Sequence, residues 1–189
     1  MSIIVAVRKG GQTVITADTM HTYGSRREHA DNIVSRPKIR KIGSSYIGGV
    51  GWSVYDTILG HYFNSIKRPP ALTNEMRVFD FFLKFWKLMR KNYQLVNDQP
   101  DTDDRSPFAN LDSEFIVVNK HGMFQIDSDL TVMSFEKYVA LGSGDRYALG
   151  ALHALYGTKR TARQIAIVAA EAAVHFDQSC GGDIICHEV

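Results

Sequence analysis

The sequence predicts an α+β fold: two stacked antiparallel sheets, each covered on its outer face by helices, in a four-layer αββα sandwich. Three observations lead there. Short β-branched segments are punctuated by glycine turns, amphipathic helical patterns come in two pairs, and those pairs alternate with the strand runs along the chain. At 189 residues the chain has the length of one domain with a proper core, spanning 1–189.

The elements follow in order. Ile3 to Val7 and Thr13 to Ala17 flank Gly10-Gly11, a dipeptide that tolerates positive φ, and predict a hairpin. A polar loop with His21, Arg26, Arg27, Glu28 and His29 comes next. Apolar alternation resumes at Asn32-Ile33-Val34-Ser35, breaks at Pro37, and returns in Lys38 to Ile42. Tyr46-Ile47-Gly48-Gly49-Val50-Gly51 is a strand with so little side chain that something must approach its backbone closely.

Val54, Ile58, Tyr62 and Ile66 recur every four residues and predict a helix from Ser53 to about Lys67, ended by Arg68-Pro69-Pro70. Thr73 is the expected N-cap of the next helix, whose stripe of Val78, Phe82, Trp86, Met89 and Tyr93 belongs to a core or a subunit interface. Residues 97–107 form an acidic loop. Asp101-Thr102-Asp103-Asp104 resembles the start of a calcium loop, but Ser106 and Asp112 stand where glycine and glutamate are needed.

Glu114 to Val118 and Met123 to Ile126 flank a turn at His121-Gly122 and predict a second hairpin. Tyr138 to Leu141 is a further buried strand running into Gly142-Ser143-Gly144-Asp145 and a helix with Tyr147, Leu149, Leu152 and Leu155. A glycine-flanked serine on such a turn exposes its hydroxyl and nearby amides. An alanine-rich helix from Thr161 to about Phe176, a turn ending in Gly181-Gly182, and a strand from Asp183 to Val189 complete the chain.

A net charge of +2 provides no polybasic field for nucleic acid or anionic membrane. The run Ile3 to Val7 is too short for a signal-peptide core, and no segment approaches the roughly 18 apolar residues of a membrane span. Cys180 and Cys186 are read as free thiols in a reducing compartment, so a cytoplasmic location is expected. The seven histidines lack the pairing of a zinc site.

Chemistry concentrates at the start of the chain. Removal of Met1, which the small second residue permits, leaves Ser2 with a hydroxyl and an α-amine on adjacent carbons. The α-amine has a reference pKa of roughly 8, so it can take the hydroxyl proton directly or through a water. Ser2 is thus a nucleophile with its base attached.

Several motifs extend this reading: Ser2 to Arg8, Val14 to Asp18, Arg36 to Ile42, Gly48 to Gly51, Leu141 to Gly144 leading into Tyr147, and Asp177 with Gly181-Gly182. In order and spacing the chain resembles the proteasome-type N-terminal nucleophile hydrolases, close to the heat-shock-locus V peptidases and the proteasome homologues of β-proteobacteria. The resemblance covers essentially the whole length. It implies that Ser2 replaces an N-terminal threonine nucleophile, keeping oxygen and amine but losing the methyl that restrains the rotamer. Asp18 and Lys38 match the acidic and basic partners, with Lys38 kept charged by Asp18. Gly51 matches the amide that receives the oxyanion, and Ser143 and Asp177 match the residues that hold the amine. Cys180 stands where the family has a serine.

The resemblance further implies no required cofactor, and a structural monovalent cation on the backbone carbonyls of Val174, Asp177 and Cys180. As partners it implies identical subunits in stacked rings of six or seven, with Phe82 and Trp86 on a ring surface. It also implies an ATP-dependent unfoldase, a peptide or unfolded-protein substrate, and neither nucleic acid nor membrane. Two other functions remain open at this point: a catalytically silent ring subunit that retains Met1, and an N-terminal nucleophile amidase acting on small molecules.

Overall fold

The computed structural model describes residues 2–28, 30–33, 37–93 and 111–189. Met1, Val34, Ser35 and Arg36, and the acidic stretch 97–107 with Asp101 to Asp104, therefore lie outside the described residues. The first half contains β1 (Ile3–Lys9), β2 (Gln12–Asp18), β3 (His21–Tyr23), β4 (Arg26–Glu28), a 3-10 turn (Ala30–Asn32), β5 (Ile39–Ile42), β6 (Ser45–Gly51), α1 (Ser53–Ser65) and α2 (Glu75–Asn92). The second contains β7 (Ser113–Asn119), β8 (Gly122–Ile126), β9 (Val132–Phe135), β10 (Tyr138–Gly142), α3 (Asp145–Tyr156), α4 (Ala162–Phe176) and β11 (Ile184–Glu188).

Two antiparallel sheets carry the fold, with strand orders β10-β1-β2-β11 and β5-β6-β7-β8-β9. β1 reads as an unbroken apolar run because both of its faces are covered. Ile3, Val5 and Val7 pack under α3 and α4, while Ile4 and Ala6 turn to the opposing sheet and meet Ile116 and Val118. α1 and α2 cover the far face of the second sheet through Ile58, Leu59, Phe82, Phe85 and Phe115. The order is helices, sheet, sheet, helices, as predicted.

Close approach accounts for the glycines of β6. A Cβ on Gly48 would fall 2.9 Å from Ile4 Cδ1, and one on Gly49 would fall 2.8 Å from the Phe115 ring. Both lie below the separation real Cβ atoms adopt, so the bare strand is a packing requirement between the layers. The alanines of α4 act similarly, since Ala162, Ala166, Ala169, Ala170 and Ala173 are all buried against the first sheet. A reciprocal cap starts that helix: Thr161 Oγ1 accepts from Gln164 N–H at 3.2 Å, and Thr161 N–H donates to Gln164 Oε1 at 3.0 Å.

Several expectations are corrected. The cap of α2 is Asn74, whose Oδ1 accepts from Arg77 N–H at 3.0 Å, one residue after Thr73. α1 ends at Ser65, and its buried face is Tyr55, Ile58 and Leu59, with Val54 exposed. Of the expected stripe Ile58 is buried and Tyr62 and Ile66 pack against the same core, while Tyr55 and Leu59 widen the buried arc beyond one row. In α3 the buried positions are Ala148 and Leu152, while Tyr147 and Leu149 face outward.

Phe82 is fully buried against Phe81, Phe85 and Phe115, so it belongs to the core and not to a ring surface; Trp86 is partly buried with the Arg90 guanidinium over its ring. The polar segment after β2 holds the β3–β4 hairpin, which carries no apolar alternation to announce it, and β9 was not anticipated.

The aromatic core sets a stability expectation. Phe82→Ala removes a whole ring from a site with little room to collapse and should cost about 3–5 kcal/mol, whereas Met76→Ala on the exposed side of α2 should stay within about 0.5 kcal/mol. Urea denaturation followed by circular dichroism measures both.

Candidate active site

Ser2 sits immediately before β1, buried, with its backbone running straight into the first sheet. Register fixes its neighbourhood: Ile3 pairs with Gly142 on one side, and Ile4 pairs with Ala17 on the other, one residue before Asp18. Gly142 is required there. Its φ is +114°, and a Cβ would fall 2.0 Å from the carbonyl oxygen of Ser2.

Asp18 ends β2 with a fully buried carboxylate that accepts three hydrogen bonds. Oδ1 takes the Lys38 ammonium at 2.6 Å and the Ile3 amide at 3.0 Å, and Oδ2 takes the Gly181 amide at 3.0 Å. The adjoining turn is tied to the same place, since Met20 N–H donates to Gly181 O and Asp183 N–H to Thr19 Oγ1. Burial pushes the Lys38 ammonium below the usual lysine range. The Asp18 carboxylate pulls the other way but does not fully offset the desolvation. The pairing of Lys38 with Asp18 that the resemblance implies is present.

Ser2 and Lys38 open into a cleft of about 430 Å³ together with Gly51 and Ser143. Gly51 closes β6 at φ +122°, where a Cβ would fall 2.4 Å from both Asp112 O and Ser113 Oγ. Ser143 Oγ lies 3.9 Å from Cys180 Sγ, within reach of a sulfur hydrogen bond. Asp177 caps the end of α4, with Oδ1 accepting from Ser179 N–H at 2.7 Å, and lines a second cavity on the other side of Ser143. Four of the six predicted residues therefore share one cleft. Asp18 stands behind Lys38, and Asp177 lies beyond Ser143.

The walls of the cleft are what sequence reasoning missed. Trp52, Tyr55, Asp56 and Asp112 line it, as do His21 and Tyr23 from the β3–β4 hairpin. A tryptophan directly after Gly51 was the one available signal; the others needed the tertiary fold.

The turn after α4 has the donor type for the implied cation. Asp177 O already accepts from Cys180 N–H at 3.0 Å, and a carbonyl keeps a second lone pair. Val174 and Cys180 flank it at intervals of three residues. Among the described residues no cluster of three or more His, Cys, Asp or Glu side chains suits a metal. Cys180 and Cys186 are both free thiols.

Two expectations follow. Burial, then the charges of Asp18 and Asp177, push the Cys180 thiol up to about 12; at pH 8 about 1 in 10⁴ is thiolate. Iodoacetamide at pH 8 should therefore leave Cys180 unmodified in the native protein and modify it in urea, as peptide mapping would show.

Asp18→Asn turns an NH₂ toward a donor and removes the counter-charge of Lys38. It should cost about 3 kcal/mol or more. A lysine whose folded pKa lies below the unfolded 10.5 destabilises fully below the folded value. Stability is regained as pH rises toward 10.5, because in that window the unfolded chain binds the extra proton. In Asp18→Asn the folded pKa drops further and this rise starts at lower pH, which urea midpoints across a pH series would show.

No family model matches the chain. Among solved structures, it is similar to the bacterial proteasome homologue BPH of Thiobacillus denitrificans, both alone and in complex with epoxomicin. Each aligns with a TM-score of 0.90 and 29% identity, covering 99% of this chain and 97% of that one. Eukaryotic HslV from Trypanosoma brucei shares the fold with a TM-score of 0.64 at 22% identity, covering 98% of both chains. No helix among the described residues is long and apolar enough to cross a membrane. With its four layers, its strand order and its full-length match to these proteins, the chain has the N-terminal nucleophile hydrolase fold and is similar over its whole length to proteasome-like proteins of the β type.

Proposed function

We propose that this chain is a peptidase subunit in which Ser2, freed of Met1, is the nucleophile and its own α-amine the base. One observation carries the proposal: Ser2, Lys38, Gly51 and Ser143 line a single cleft, while the Asp18 carboxylate binds both Lys38 and the backbone next to Ser2. A complex of the similar protein Thiobacillus denitrificans BPH with epoxomicin supports this reading.

The steps balance without an external cofactor. Ser2 Oγ bonds to the substrate carbonyl carbon as the Oγ proton passes to the α-amine, and the carbonyl oxygen gains charge toward the Gly51 amide. Collapse breaks the C–N bond, and the α-ammonium gives its proton to the leaving amine. Water, deprotonated by the same amine, then releases the acyl group and restores Ser2. Lys38 donates toward Oγ as alkoxide develops, and its positive charge disfavours a proton on the nearby amine. Ser143 and Asp177 hold the amine in place. A monovalent cation on the carbonyls of Val174, Asp177 and Cys180 would brace the turn and take part in no step.

The same proposal places identical subunits in stacked rings of six or seven in the cytoplasm, fed by an ATP-dependent unfoldase. A peptide epoxyketone tests it directly, because its ring-forming capture needs both the hydroxyl and the free amine. Intact mass should show loss of one methionine, then an adduct that maps to Ser2 and is absent in Ser2→Ala. Retention of Met1 in the natively expressed protein, or no adduct across diverse peptides, would sink the mechanism.

A further inference from the structure

Trp52 breaks two local rules at once. It is the N-cap of α1, where serine, threonine, aspartate or asparagine would use a side-chain oxygen to take up a free helix amide. An indole has no acceptor to offer, and no side-chain cap bond forms. Only the backbone contributes, with the Trp52 carbonyl accepting from Tyr55 N–H at 3.0 Å. The side chain is also 71% exposed, more than any other large hydrophobic among the described residues. An indole in this setting adds little to the fold, and violations of this kind collect at functional sites.

Its place decides what it can do. Trp52 directly follows Gly51 and lines the cleft of about 430 Å³ that holds Ser2. Tyr23, Tyr55 and Phe115 line the same space, so its large side chains are aromatic. The charged groups of this wall already have interactions: Lys38 with Asp18 at 2.6 Å, Asp56 with the Arg40 guanidinium at 3.6 Å, and Asp112 is not free either. An ionic substrate side chain would compete with these contacts. An aromatic or large aliphatic one needs only surface, which the indole supplies, and ring stacking adds to the burial.

We propose that Trp52 is a specificity residue, its indole packing on an aromatic or large apolar side chain of the substrate within two residues of the bond that Ser2 cuts. The assignment rests on the peptidase reading above. Consecutive Cα atoms stand about 3.8 Å apart, so the neighbour of Gly51 meets substrate close to the carbonyl that the Gly51 amide would receive. Because the indole is exposed and caps nothing, Trp52→Ala should leave the protein folded.

The test digests peptides of varied sequence with the full-length protein and maps the cut bonds by mass spectrometry. Phenylalanine, tyrosine, tryptophan, leucine and methionine should be enriched within two residues of those bonds. For a peptide carrying phenylalanine there, Trp52→Ala should raise KM about 10-fold with kcat little changed, and Trp52→Phe should restore most of the loss. Emission gives a readout independent of turnover. The chain has two tryptophans, so the difference between spectra with and without Trp52→Phe isolates Trp52. In Ser2→Ala, which binds without cutting, that emission should shift to shorter wavelength when the phenylalanine peptide is added. No enrichment, an unchanged KM in folded Trp52→Ala, or no emission shift overturns the assignment and leaves the Ser2 chemistry standing. Emission already at short wavelength before peptide is added would mean that a second copy of the chain covers the indole, and overturns it too. Absence of any cleavage by the unmodified sequence overturns both.

Discussion

The Asp18 carboxylate is the contact on which the rest of this site depends. It is fully buried, and an isolated charge there would be strongly disfavoured; three hydrogen bonds from three distant parts of the chain make it tolerable. Those donors are the amide after Ser2, the Lys38 ammonium, and the amide of Gly181 in the turn before β11. One carboxylate therefore fixes the position of the nucleophile's backbone, the cation beside it and the C-terminal turn. Because the acceptor has two oxygens and all its partners are donors, neither an amide nor a hydroxyl replaces it without leaving a donor facing a donor. Specific geometry here is obtained from an interaction that contributes little net stability.

A second constraint is sheet register. Ser2 precedes a strand held on both sides, by β10 and by β2, so the candidate nucleophile is positioned by a paired strand rather than by a loop. A slip of one residue would turn Ile3, Val5 and Val7 away from the helical layer and carry the carboxylate partner out of place. Gly142 makes that register sterically possible next to Ser2, and Gly51 does the same where β6 meets Asp112 and Ser113. The bare positions around the cleft thus let the layers close and leave the cleft open.

The parts legible in the sequence were those with a local signature. The Gly10-Gly11 hairpin, the two-faced apolar run of β1, the capped alanine helix and the glycine strand all follow from period, turn chemistry or side-chain size, and together they give the layer order. The candidate residues were legible because Ser2, Asp18, Lys38, Gly51 and Ser143 stand in the order and spacing of the family the sequence resembles. The β3–β4 hairpin was not legible: Thr22 and Arg27 pair across it without an apolar face, since the strands do not cover a core. For Phe82 the stripe left core and subunit interface both open, because a sequence stripe cannot say which of two neighbouring layers it faces; the structure places it in the core. Tyr55, Asp56 and Asp112 come from α1 and the start of β7, and only the closure of the second sheet makes them neighbours of Ser2.

The depressed lysine has a chemical consequence that the pairing pattern alone hides. A fully charged ammonium beside Ser2 would stabilise an alkoxide strongly but hold its own protons firmly. Burial of Lys38 brings its pKa down, while Asp18 prevents a complete loss of charge preference. Under the proposed mechanism, a shift in that direction would bring the group nearer to sharing a proton with Oγ during attack, which is where acid–base groups are most effective. In the proposed reaction, a positive charge on Lys38 would also work against protonation of a freed α-amine in the same cleft. In that proposal, two bases that share one site and repel each other's protons would leave the hydroxyl of Ser2 as the proton source once the bond between Met1 and Ser2 is cut.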